Sequence, residues 1–145
     1  MPLASGPVVR VIDLATGKKA ADWAVPEAGD IDADAGGNLW VACGDEVVCL
    51  GPQGQIAKRY QPGVPTAYIA VGMTHIAAIS VQRNRIALIG LADGKVSRTL
   101  GQDHPVGKWL PPSGNLFSKL RDGVFMPDGQ LLVCHCFFNG PATTE

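Results

Sequence analysis

Three stretches of the 145-residue sequence are versions of one another: VVRVIDLATGKKA at 8 to 20, EVVCLGPQGQIAK at 46 to 58, and RIALIGLADGKVS at 85 to 97. Each reads as an apolar strand, a turn containing glycine and a second strand. Such a repeat constrains the fold strongly, because a unit this small buries its apolar faces only against its neighbours. The turn glycines Gly17, Gly54 and Gly94 lie 37 and 40 residues apart. They stand where a tight turn asks for positive φ, which glycine adopts without a Cβ clash. The residues before them, Thr16, Gln53 and Asp93, are polar, as a solvated turn requires. Helical repeats of similar length do not fit, because the Val, Ile and Leu residues fall in short runs bounded by Gly and Pro, without three-four spacing.

A second element also recurs. GDIDADAGGNLWVA at 29 to 42 aligns without gaps to RDGVFMPDGQLLVC at 121 to 134, sharing an Asp, a Gly, a Leu and a Val in register. Both copies read as hairpins. In GNLWVACGDEVVCL, 37 to 50, neither apolar run alternates with polar residues. Leu39 and Val41 therefore face one way, Trp40 and Ala42 the other, and both faces are expected to be dry.

These elements predict an all-β chain of four-stranded antiparallel units in one domain spanning 1–145. With the strands of a unit lettered A to D from the inside outward, 8–25 supplies C and D of a first unit. Residues 29–61 and 67–100 supply two whole units, and 123–138 supplies only A and B of a last one. The segment GQDHPVGKWLPPSGNLFSKLRD, 101–122, breaks the period. Asn115, LFSKL and Gly123 suit a single capped helical turn. Long loops in compact domains are often functional, but covering an open end of the core is the favoured role here.

Composition narrows the partners. At 46% hydrophobic and 17% charged, the chain has the side chains for a core. A formal charge of -1, with Lys and Arg scattered singly, gives no footprint for nucleic acid or an anionic membrane. Apolar stretches such as IALIGLA at 86 to 92 fall far short of the roughly 18 residues of a spanning helix. The start, MPLASGPVV, lacks a basic region followed by an apolar core, so no secretory signal is expected in it. The cellular compartment is not specified by these features. The 18 Gly and 11 Pro, spread along the chain, read as frequent turns between short strands.

VRVIDLATGKKAADWAVPEAGDIDADAGGNLWVA resembles the YVTN-type and NHL-type propeller repeat, in which a "VIDLATGK" strand-turn-strand leads into a "GNLWVA" hairpin; GPQGQI and MPDGQLLV resemble the same elements. The resemblance covers most of the chain outside residues 101 to 120. It implies a β-propeller of the six- or seven-bladed type, each unit being one blade. It does not imply one function, since such propellers serve as binding platforms, lactonase-like hydrolases and quinoproteins, and function has to be argued from a site. Two whole blades and a half-blade at each end amount to three, fewer than the about four to eight that usually close a ring. The unfilled edges and apolar faces predict pairing with a second copy, which would give six blades, or membership of a longer propeller. A protein or small molecule is the further partner expected.

The favoured reading is a non-enzymatic scaffold or binding module; the alternative is part of a propeller hydrolase or quinoprotein. Asp30 and its repeat mate Asp122 precede inner strands, where loops meet around the axis. Ala70 is expected in the corresponding neighbourhood of the middle unit. The long loop adds His104, Lys108 and Trp109, with Trp109 suited to stacking on a planar ligand. Asp30, Asp32 and Asp34 alternate on one strand and are the only metal candidates, with calcium as the cation. However, Ala35 stands where a calcium loop has Gly, and Val41 stands where it has its bidentate Glu. Asp34 is therefore expected to cap the turn and Asp32 to be solvated; no resident cofactor is expected.

No GxSxG elbow is present. Glu27, Glu46 and Glu145 are not at the start of an inner strand as aligned, so lactonase chemistry is not carried over. Cys134 and Cys136 share a strand face from which His135 points away, which disfavours one metal for all three. Cys43 and Cys49 lie on paired strands and read as packing residues.

Overall fold

The computed structural model describes residues 6–101, 117 and 120–135. Among them it contains twelve strands and no helix: β1 (Val8–Asp13), β2 (Lys18–Ala24), β3 (Ala28–Ala33), β4 (Leu39–Cys43), β5 (Glu46–Leu50), β6 (Ile56–Tyr60), β7 (Tyr68–Val71), β8 (His75–Ser80), β9 (Arg85–Gly90), β10 (Val96–Leu100), β11 (Gly123–Phe125) and β12 (Leu131–Val133). The chain is all-β. Its strands form four antiparallel sheets in sequence order: β1-β2, β3-β4-β5-β6, β7-β8-β9-β10 and β11-β12. The expected capped helical turn near 115–123 lies largely outside the described residues, as does the end of the expected 123–138 element.

The turn chemistry read from the sequence sets the hairpins. Gly17, Gly54 and Gly94 have φ of 71°, 82° and 72°, a region that a side chain with Cβ rarely adopts. The aligned hairpins at the second and fourth sheets close identically. Asp34 N donates to Asn38 O and Gly37 N to Asp34 O; likewise Met126 N donates to Gln130 O and Gly129 N to Met126 O.

The sheets stack through three successive apolar layers. Val9 and Val25, with Trp23 beside them, meet Val41, Val48 and Leu50. The opposite face of the second sheet, Trp40, Ala42, Val47 and Cys49, meets Ile69, Ile76, Ala78 and Ile89 of the third. The third sheet then turns Ala70, Ala77, Ile79 and Ile86 toward Phe125, Leu131 and Val133 of the fourth. Continuous apolar runs arise because the middle sheets are covered on both sides: β4, β5 and β8 are buried along nearly their whole length.

The first strands of the last three sheets follow one another, β3 beside β7 and β7 beside β11. From the long irregular segment, Phe117 and Leu120 are buried in the layer between the third and fourth sheets. No helix among the described residues is long and apolar enough to cross a membrane.

Candidate functional site

The acidic alternation on β3 is placed by strand geometry. Asp30 and Asp32 are half-buried on one face, and Ile31 between them is exposed on the other. Because β7 is the first strand of its sheet, the amides it turns away from β8 have no ladder partner, and a buried unpaired amide is costly. The aspartates supply the acceptors. Asp30 Oδ2 accepts from Ile69 N at 2.9 Å, and Asp32 Oδ2 accepts from Val71 N at 2.8 Å. Each carboxylate also accepts an amide of its own strand, Ile31 N for Asp30 and Ala33 N at 2.8 Å for Asp32. Asp32 is therefore not the solvated residue expected; it clamps the second sheet to the third.

Asp122 occupies the same place on the fourth sheet. Its Oδ1 accepts from Gly123 N at 2.8 Å, and Cys134 N donates to its backbone oxygen, just as Asp30 is paired with Ala42. Asp30 lies within electrostatic reach of Asp122. Burial pushes the Asp30 carboxyl above its ordinary range, the Ile69 amide pulls it down, and the Asp122 charge adds to the rise. The register puts Tyr68, opposite Ile79, at the position of Asp30, and Ala70 at that of Asp32. This corrects the expected alignment of Ala70 with Asp30. Of the other expected ligand residues, His104, Lys108 and Trp109 lie outside the described residues.

At the opposite end of the strands, Asp34 organises the β3–β4 turn. It accepts from Gly36 N, Asn38 N and Asn38 Nδ2, and its Oδ2 accepts from Trp40 Nε1 at 3.1 Å. Burial opposes the charge on Asp34, but these donors outweigh it and hold its carboxyl below the usual range. Trp40 also stacks on Tyr60 at a centroid distance of 5.1 Å, and Tyr60 Oη donates to Leu91 O at 2.9 Å. Beside this cluster opens a cavity of about 920 Å³, whose lining includes Trp23, Trp40, Asn38, Gln55, Lys58 and Met73.

Sequence reasoning did not assemble that cavity. One signal was available: Trp23, Tyr60 and Leu100 each follow a turn glycine by six residues. Trp23 covers Gly54 and Tyr60 covers Gly94, so a methyl added at either glycine would run into the neighbouring ring.

Asp30, Asp32 and Asp34 do not converge. Among the described residues no group of three His, Cys, Asp or Glu side chains is arranged to hold a metal ion. Cys43 faces the first sheet and Cys49 the third, so the two free thiols lie on opposite faces. Burial raises the pKa of both, which leaves them protonated packing groups. Cys134 is exposed, His135 sets its ring edge-on to Phe117 at 5.6 Å, and Cys136 lies outside the described residues. Asp30 and Asp32 of β3 thus hold backbone together, while the cavity near Trp23 offers aromatic surface and, among the described residues, the cationic side chain of Lys58.

No protein-family model matches the chain, and no curated protein matches it.

Proposed function

We propose that the sheets are blades of a β-propeller and that the chain is a non-enzymatic scaffold that binds a protein or small ligand. The observation that carries the reading is the succession β3, β7, β11 of first strands side by side, with each sheet stacked face to face on the next. A propeller has this arrangement around its axis, whereas the two-layer sandwich has only one interlayer core. The resemblance of the repeats to YVTN-type and NHL-type sequences supports the same reading. A scaffold role is supported by the commitment of Asp30, Asp32 and Asp34 to backbone and indole donors. The aromatic cavity beside Trp23 and Lys58 is the surface best suited to a ligand.

Electron cryo-microscopy of the purified protein tests the architecture: radial sheets about a central channel are expected, and a flat two-layer sandwich overturns the reading. Asp32→Ala tests the role. It should lower the melting temperature by leaving the Val71 amide without its acceptor; loss of a hydrolytic activity with unchanged melting temperature would overturn the scaffold assignment.

A further inference from the structure

We infer that the edge of the last sheet that has no ladder partner among the described residues is filled by the first sheet of a second copy of this chain, β12 of each copy pairing with β1 of the other. This rests on the propeller reading above and deepens it by naming the partner. The pairing has a template within the molecule, the β4–β5 hairpin. The repeats place Leu131, Leu132, Val133 and Cys134 at the positions of Leu39, Trp40, Val41 and Ala42. They place Val9, Val11 and Ile12 at those of Val47, Cys49 and Leu50. In the template Ala42 is opposite Val47, Trp40 opposite Cys49 and Leu39 opposite Leu50. The predicted register therefore sets Cys134 against Val9 of the partner subunit, and Leu132 against Val11 of the partner subunit.

Three features are incomplete among the described residues of the first and last sheets, and this register completes them. The first is the residue over the turn glycine. Trp23 covers Gly54 and Tyr60 covers Gly94, but Leu100, the equivalent residue of the third sheet, has no turn glycine beyond it among the described residues. Gly17, the equivalent glycine of the first sheet, has nothing within 4 Å of where its Cβ would stand.

The second is apolar cover. Val124 and its cross-strand neighbour Leu132 are 52% and 50% exposed, and Ile31, on the face of β3 turned away from the third sheet, is 49% exposed. The pairing lays Val124 and Leu132 over Ile31 of the partner subunit. It also directs the exposed Ile12 into a groove of about 230 Å³ lined by Leu88, Leu100, Met126 and Leu131. The third is the clamp: Asp30 and Asp32 each bridge to the next inner strand, whereas Asp122 makes only the bond to its own strand among the described residues.

The twelve strands of the described residues are the content of three four-stranded sheets. Two copies joined by the β12–β1 contact would supply six, inside the range of about four to eight seen in closed propellers. A two-fold axis permits this arrangement, because the contact is made twice.

Light scattering on a size-exclusion column should give a species of about 30 kDa, twice the 15.2 kDa chain. A Val9→Cys variant should then form an interchain disulfide with native Cys134, since residues directly opposite on antiparallel strands are within bridging distance. A covalent dimer is expected on a non-reducing gel, and it should disappear when Cys134→Ser is added. If Val9→Cys does not fold, Leu132→Arg replaces it: a monomer with an unchanged strand signal in circular dichroism is expected, and a persisting dimer overturns the inference.

A 15 kDa wild-type monomer with native strand content would sink the pairing and leave the propeller reading standing. A cross-link that survives Cys134→Ser overturns the register, and polymers that lengthen with concentration overturn the closure. A covalent dimer that images without a ring overturns the propeller reading and leaves the pairing intact.

Discussion

β5 and β1 are the same element of the repeat, and they have different fates. EVVCL in β5 is buried from Val47 to Leu50, while in VVRVID of β1 only Val9 is buried. Both strands are rich in Val, and both pair with a following strand across a glycine turn. What separates them is the number of neighbours. β5 has a ladder partner on each side and a sheet on each face, whereas β1 has one of each among the described residues. Burial is thus assigned by position in the row, and the exposed Arg10 stands at the place of buried Val48 on the face of β1 that no sheet covers among the described residues.

The largest effect expected from this contrast is in the core. Ile79→Ala, in the doubly covered third sheet, should cost about 2–5 kcal/mol in urea unfolding. Leu132→Ala, on the open face of the fourth sheet, should cost well under that in a monomer; an equal loss would mean that this face is covered in solution. Next comes Asp34→Ala, which removes the turn cap and leaves the Trp40 indole N–H without its acceptor, for a loss of about 1–3 kcal/mol by the same measurement.

A smaller effect separates the end sheet by pH. Asp22, gripped by the Arg10 guanidinium at 2.8 Å and 3.0 Å, has its pKa lowered to about 2, mainly by that hydrogen bond. A lowered carboxyl pKa contributes stability above the unfolded value of about 3.8, and that contribution is lost as pH falls through about 2. Unfolding midpoints of wild type and Asp22→Asn should therefore converge as pH drops from 5 toward 2, and salt should narrow the gap because the pair is exposed.

The smallest effect probes the inner strands. Asp122→Asn should move the Asp30 carboxyl down toward its ordinary value in a carbon-detected NMR titration. Because Asp30 titrates above its unfolded value, its own contribution favours the folded state more as pH falls through the interval between the two. An unmoved Asp30 would separate the two carboxylates in solution.

Much of this fold was legible in the residues. The four strand groups and the positive φ of Gly17, Gly54 and Gly94 follow from runs of Val, Ile and Leu punctuated by glycine, a local code that survives without tertiary information. The opposed faces of Leu39 and Val41 against Trp40 and Ala42 follow from the pleat. The partners of Asp30 and Asp32 were not legible, because the donors Ile69 N and Val71 N lie 39 residues away and are backbone atoms without a side-chain signature. Turn length also hid the equivalence of Tyr68 with Asp30: Asp30 precedes its partner Ala42 by 12 positions, whereas Tyr68 precedes Ile79 by 11, so the β3–β4 hairpin is one residue longer. The cavity beside Trp23 escaped for a similar reason: its walls come from strands and turns of three different sheets, and no linear motif links them.

The packing of an outer-strand ring on the next sheet's turn glycine gives the row a direction. Trp23 looks forward to Gly54 and Tyr60 forward to Gly94; neither contact can be reversed, since a ring has no glycine behind it to meet. Units of this kind concatenate head to tail only. Duplicating such a gene segment in tandem would preserve every junction, whereas joining two units back to back would set ring against ring. The vectorial character of that single contact makes lengthening by repetition an accessible evolutionary step and inversion a forbidden one.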